Sequence, residues 1–191
     1  MKKSNMILGI IIPRIIKNIY LMIKFKCFVH PFSSIQGIRN LKIGKGTQIN
    51  KCSIIAQGKI IIGENCIIDQ DVILNSKTGF IKIGNNTSIN PQSIIHGNGG
   101  VTIGNHTAIA PGVKILKNHL IPNLNNSYSI ISEKSTIIGD YVWICANVVI
   151  IDGVSIGNNV IIGANSFVNK DIKKNSVVAG CPTRLLYVRT K

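Results

Sequence analysis

Aromatic side chains make up only 5% of this 191-residue chain, and tryptophan occurs once. Any core it builds has to take its bulk from aliphatic residues. The five cysteines, Cys27, Cys52, Cys66, Cys145 and Cys181, are odd in number and include no C-x-x-C pair. That spacing suggests neither a disulfide framework nor a zinc site, and a reduced, cytoplasmic setting is the expectation. Acidic residues are scarce as well, 7 against 22 lysines and arginines, leaving a net charge of +15. An anionic partner or a plainly basic surface would each account for it. Nucleic acid is a poor candidate: no binding motif is present, stacking residues are few, and the lysines are scattered through turns. Long uninterrupted apolar runs are missing too. The opening stretch MKKSNMILGIIIPRIIKNIYLMIKFK is broken by Pro13, Arg14 and Lys17 and has no small-residue cleavage site before Lys24. It reads neither as a bilayer-spanning helix nor as a signal peptide.

What that stretch does contain is a helical pattern. From Pro13 onward, Ile15, Ile16, Ile19, Met22 and Ile23 recur at helical spacing while Arg14, Lys17, Asn18 and Lys24 fall largely elsewhere, which predicts a short amphipathic basic helix. Two roles stay open for it. It covers the first turn of whatever follows, or it lies peripherally on the cytoplasmic face of an anionic membrane.

The rest of the chain repeats every six residues. Ile138, Ile144, Ile150, Ile156, Ile162 and Val168 stand six apart without a break. A helix drifts out of phase with six, and a strand needs a period of two. A coil of short strands fits, with one inward aliphatic residue on each side of a triangular prism. Ile43-Gly44, Ile62-Gly63, Ile83-Gly84 and Ile103-Gly104 recur 19, 21 and 20 residues apart, about one three-sided turn each. Residues 35–180 therefore read as one solenoid whose turns bury aliphatic residues against their neighbours. The chain divides into residues 1–30, the basic amphipathic segment, and residues 31–191, the coil with a C-terminal tail. Helix beyond the first segment is expected only as a short piece near the C-terminus.

The hexapeptide pattern, with VWICANVVIIDGVSIG, IIGANSFVNKDI and VVAGCPTRLL, resembles the hexapeptide-repeat acyltransferases over roughly residues 35–188. Within that family the likeness is to the sugar O-acetyltransferases of bacterial surface-polysaccharide (capsule or lipopolysaccharide) synthesis and to the galactoside and maltose acetyltransferases. The resemblance implies an all-β, left-handed parallel β-helix, a homotrimer with active sites between adjacent prisms, acetyl-coenzyme A (acetyl-CoA) as donor, a sugar hydroxyl as acceptor, and no metal. The handedness comes from the resemblance alone, since general rules favour right-handed crossovers. Coenzyme A, with its pyrophosphate and 3′-phosphate, also answers the positive charge. An amino-sugar N-acetyltransferase or an antibiotic acetyltransferase would use the same donor machinery, and a nonenzymatic β-helical scaffold would keep the repeat without it.

One break in the period is informative. After IAPGVKIL the pattern stops, and KNHLIPNLNNSYSIISEKST runs from Lys117 to Thr136 before Ile138-Gly139 resumes it. Long insertions in compact folds are usually functional or disordered. It opens on His119, where the resemblance implies the catalytic base. The chemistry agrees, because an imidazole with a reference pKa of about 6.5 suits removal of a proton from an alcohol. His96, about one turn earlier, is the competitor, while His106 reads as a solvent-facing turn residue and His30 has no evident partner. A zinc site from His96, His106 and His119 is conceivable on such an architecture, but no close histidine pair supports it.

Further roles follow from the resemblance, residue by residue. Asn90, in SINPQS, matches an acceptor-binding asparagine, though a turn residue of left-handed φ reads equally well. Asn98 stands where relatives carry an acidic residue. Trp143, Ala146, Ala164, Asn169, Lys170 and Arg184 match the coenzyme A cleft: small residues admit the pantetheine arm, an indole flanks it, and basic groups meet phosphates. Cys145 replaces a glycine and Asn169 a threonine of the family pattern.

Overall fold

The computed structural model describes residues 2–116, 121–122, 128–129, 134–151 and 153–190, the side chains of 2–12, 121–122 and 128–129 excepted. His119 lies outside the described residues. Six-residue sides demand one inward residue per side, and the predicted series obeys: Ile138, Ile144, Ile150, Ile156, Ile162 and Val168 are each at most 2% exposed. They fall in rotation on three sheets, parallel throughout except for the last strand of the first. Among the described residues the first face has nine strands, from Phe28–Val29 to Arg184–Val188; the second has seven, from Ser34–Gln36 to Phe167–Val168; the third has six, from Leu41–Ile43 to Ser155–Ile156. Together they form the predicted left-handed parallel β-helix of about seven turns.

The Ile-Gly dipeptides form one column of the third face. Ile43, Ile62, Ile83, Ile103, Ile138 and Ile156 stand in register, each hydrogen-bonded strand directly above the last. Glycine must follow because the turns stack backbone on backbone there. A Cβ on Gly84 would lie 2.6 Å from the carbonyl carbon of Gly104, and one on Gly104 would lie 2.5 Å from that of Gly139. Burial of each isoleucine stabilises by about 1.5–3 kcal/mol, and its contacts are with the turns directly above and below. Ile150, for example, stands between Ile115 and Val168.

The corner that returns the third face to the first takes one left-handed residue per turn. Gly46, Asn65, Asn86, His106, Tyr141, Asn159 and Asn175 have φ between 52° and 73°. Glycine and asparagine visit that region most readily. His106 and Tyr141 are the exceptions, and their rings stack at 4.9 Å with an interplanar angle of 2°. Behind this corner the buried hydroxyls of Thr47, Thr87 and Thr107 donate to the carbonyls of Gly63, Gly104 and Gly139 at 2.7, 2.9 and 3.0 Å, so inward backbone oxygens stay paired.

The N-terminal helix α1 (Lys2–Phe25) is longer than expected. It reaches back to Lys2 through Pro13, at the cost of one ladder bond. It covers the first turn with a different face from the one its apolar spacing suggests. Asn18 and Leu21 turn inward, 1% and 0% exposed. The Asn18 Nδ2 donates to the carbonyls of His30, Pro31 and Ser33 at 3.1, 2.9 and 3.1 Å, and Lys17 Nζ donates to the Ile35 carbonyl. Of the predicted apolar stripe, Ile16, Ile19 and Ile23 point outward, while Met22 packs partly against the core. An open coil end presents unpaired carbonyls, and a polar side chain caps these better than an isoleucine does. At the other end, the short helix expected at the C-terminus is replaced by the strand Arg184–Val188, which runs antiparallel to Ser176–Ala179.

Candidate functional site

The insertion leaves the coil at the corner between the second and third faces. Leu116 still pairs with Ile151, and Thr136 rejoins the third face opposite Val101. Within the insertion, Ile121–Pro122 and Tyr128–Ser129 pair antiparallel. Its exit is fastened to the turn below: Ser135 Oγ donates to the Gly99 carbonyl at 2.8 Å, and the Thr136 amide donates to Gly100 at 3.0 Å.

This corner gathers part of the predicted acceptor set. His96 ends the strand Ile94–His96, directly below the strand Lys114–Leu116 from which the insertion springs. Half-buried, His96 has its pKa lowered, first by desolvation and then by the charge of Lys77 in the turn beneath. Its imidazole is therefore held neutral at neutral pH. Asn98 lies two residues on, buried at the bend. Asn90 is not with them. It sits at the corner between the first and second faces, where its Nδ2 donates to the Ile109 carbonyl at 2.8 Å. Nor is it the left-handed residue of its turn; that is Gln92, φ 62°. His106 belongs to the third corner, so the three candidate zinc ligands of the sequence do not share one edge, and among the described residues no three metal-ligating side chains converge.

The predicted donor-side residues divide similarly. Trp143 lies on the first face with its indole 54% exposed, aligned with Ala108 below and Ile161 above. Ala146 and Ala164 follow at the first corner in successive turns, joined by the Asn165 amide donating to the Ala146 carbonyl at 2.9 Å. Arg184 pairs with Ala179 at the top of the same face. These four make a strip with small residues at its edge, an exposed ring beside it and a cation at its end. Asn169 and Lys170 are exposed at the second corner. A groove of about 230 Å³ at the coil end, lined by Lys170, Ile172, Val178, Thr183 and Leu185 among others, connects that corner to the C-terminal strand. Cys145, beside Ala146, has its thiol pKa raised by burial and so lacks the thiolate a nucleophile needs.

Two features of this region escape sequence reading. One is the His106–Tyr141 stack, although IGNH and IGDY place both rings at the same phase of the repeat. The other is the ion pair of Lys134 with Asp171, 3.9 Å apart and well exposed, which joins the end of the insertion to the last turn and contributes little.

A single β-helix with one corner insertion and an exposed strip along another corner is the architecture that the resemblance to the hexapeptide-repeat acyltransferases implies. The comparisons agree. The model of bacterial transferase hexapeptide (six repeats) matches residues 135–170. Galactoside O-acetyltransferase of Escherichia coli (strain K12) is 38% identical over 136 residues, 70% of this chain and 66% of that protein. WbbJ of the same strain, provisionally named a lipopolysaccharide biosynthesis O-acetyl transferase, is 33% identical over 146 residues, 71% of this chain and 74% of its own length. The crystal structure of NeuO, a polySia-specific acetyltransferase, superposes with a TM-score of 0.64 at 26% identity, over 78% of this chain and 69% of that one. The chain belongs to the hexapeptide-repeat acyltransferases.

Proposed function

We propose that the protein is an acetyl-CoA-dependent O-acetyltransferase that acetylates a sugar hydroxyl in bacterial surface-polysaccharide synthesis, and that it works as a homotrimer. The observation that carries this reading is the separation of the two half-sites. The strip of Trp143, Ala146, Ala164 and Arg184 follows the first corner, whereas the insertion that holds His119 springs from the second, above His96. A convex prism cannot bring two of its own corners together. Two prisms side by side can, with the strip of one facing the insertion of the next. The relatives named for O-acetyl transfer to galactosides and in lipopolysaccharide synthesis support the acceptor class.

In this mechanism the imidazole of His119 takes the proton of the acceptor hydroxyl, and the alkoxide oxygen attacks the thioester carbonyl. A backbone N–H stabilises the oxyanion. The C–S bond then breaks, the acetyl group stays on the sugar oxygen, and the departing thiolate receives the proton from the imidazolium. No covalent acetyl-enzyme is required.

The test is His119→Ala, assayed by acetyl-CoA consumption with sugars, nucleotide sugars and isolated surface polysaccharide. Turnover on the true acceptor should fall by about 10²-fold or more while donor binding and sedimentation stay those of the parent. His96→Ala is the control and should lose much less. The reverse ranking would move the base to His96, activity retained in both would remove the histidine mechanism, and a fully active monomer would remove the shared site.

A further inference from the structure

The face of α1 that the coil leaves uncovered is apolar. Ile16, Ile19, Tyr20 and Ile23, at helical spacings of three, four and seven from the first, are 61%, 48%, 50% and 75% exposed. Phe28 and Phe32, on and beside the first turn, continue the patch at 42% and 50% exposed. Asn18 and Leu21 fix the opposite face against the coil, so the stripe cannot roll inward without breaking the Asn18 hydrogen bonds. Lys24 leans its ammonium over the rings of Tyr20 and Phe25, 5.5 and 5.2 Å from their centroids, and Lys26 is exposed at the helix end.

Charge is segregated in the same way. Residues 1–63 carry 11 of the 22 basic side chains and no acidic one, the first carboxylate being Glu64. An apolar stripe within a purely basic end of the molecule favours a partner that offers both hydrocarbon and negative charge. A second copy of the chain offers the hydrocarbon but sets one basic end against another, so charge complementarity decides against it.

We propose that α1 docks the protein on an anionic lipid bilayer, lying in the interface with Ile16, Ile19, Tyr20 and Ile23 in the acyl region and the surrounding lysines and arginines at the headgroups. The helix lies on the membrane and does not cross it: among the described residues no helix is long and apolar enough to span. The attachment is reversible, because one stripe of this size plus screened charge gives modest affinity. The first face rises five strand pairings from Phe28–Val29 to Trp143–Ile144. At about 4.8 Å per pairing, that carries the Trp143 level some 24 Å along the coil axis from the docked end.

The experiment uses the full chain with vesicles of phosphatidylcholine alone and of phosphatidylcholine with phosphatidylglycerol, read by co-sedimentation. The parent should bind only the phosphatidylglycerol vesicles and release with added salt. Ile16→Ser with Ile23→Ser should weaken binding by at least about tenfold, since each isoleucine withdrawn from water is worth roughly that factor. Lys24→Glu with Lys26→Glu should weaken it as well. Both double variants should keep the parent's circular dichroism and acetyl-CoA binding, which separates this result from the proposed reaction. The proposal is overturned if the parent ignores phosphatidylglycerol vesicles, if the isoleucine variant binds them as the parent does, or if that variant instead changes the oligomer seen by sedimentation velocity, the outcome that would assign the stripe to a second copy.

Discussion

Substituting Asn18 by aspartate keeps the shape of the side chain and reverses its chemistry. Its amide nitrogen faces three carbonyl oxygens within 3.1 Å in a site 1% exposed. Losing the donor costs about 1–3 kcal/mol. A carboxylate in its place adds a buried charge aimed at three partial negative charges, a penalty of several kcal/mol unless it protonates. Against this, the helix is held by Leu21, worth about 1.5–3 kcal/mol, and by the partly covered Met22 and Phe25. The two sums are of similar size, so Asn18→Asp should release the helix and leave the coil standing, because each turn depends on its neighbours only. Hydrogen exchange should report it: amides of residues 14–25 lose about 10²-fold of their protection at neutral pH, while the third-face strands of the central turns keep theirs. The docked state raises the pKa of the introduced carboxyl above its unfolded value. The variant's helix should therefore redock as the pH falls through the raised value and the carboxyl protonates. Asn18→Leu, which removes the donor without adding charge, should lose much less. Undiminished protection of residues 14–25 in Asn18→Asp would show that the amide does not hold the helix. Loss spread evenly through the coil would show that its turns are not independent.

The remaining predictions concern titratable groups. Burial raises the Cys52 thiol to about 12 despite a hydrogen bond from Ser33, and raises Cys27 and Cys66 as well, while Cys181 is exposed. A thiol reagent at about pH 8 should modify one cysteine fast, Cys145 slowly and the three buried ones only on unfolding; a fast phase that survives Cys181→Ser would refute the assignment. For His96 the folded pKa is the lower one, so stability contributed by its neutral form is present above the ordinary histidine range and falls as pH drops through that range toward the lowered value. Urea midpoints between about pH 8 and pH 5 should slope less in His96→Gln than in the parent, and identical slopes would place His96 in water.

Much of the coil is legible in the sequence because its period is enforced at every turn by backbone contact: Gly104 cannot carry a side chain, and Ile103 has one place to go. The division of the candidate residues among corners is also latent in the count, since Asn90 and Asn98 stand eight residues apart, more than one side. Helix orientation is not. The apolar spacing of Ile16, Ile19 and Ile23 is that of a buried stripe, and only the three carbonyls left open by the first turn explain why Asn18 takes the inner face. Handedness and the proposed meeting of two prisms leave no mark on a six-residue period, and the C-terminal strand depends on an open edge at Ser176–Ala179 that local spacing does not announce. His119 rests on resemblance and chemical need.

The coil passes the insertion without losing count. Leu116 bonds upward to Ile151 and Thr136 downward to Val101, so the register of every later turn is set by the scaffold and not by the length of chain between Lys117 and Ser135. Closing a longer loop at that point costs only slowly with added residues. Lengthening, shortening or exchanging the insertion thus leaves Trp143, Ala146, Ala164 and Arg184 where they are. On the proposed reading the corner works as a socket: the acceptor side can be rewritten there in one stretch of sequence, while the strip proposed to receive the donor is inherited unchanged.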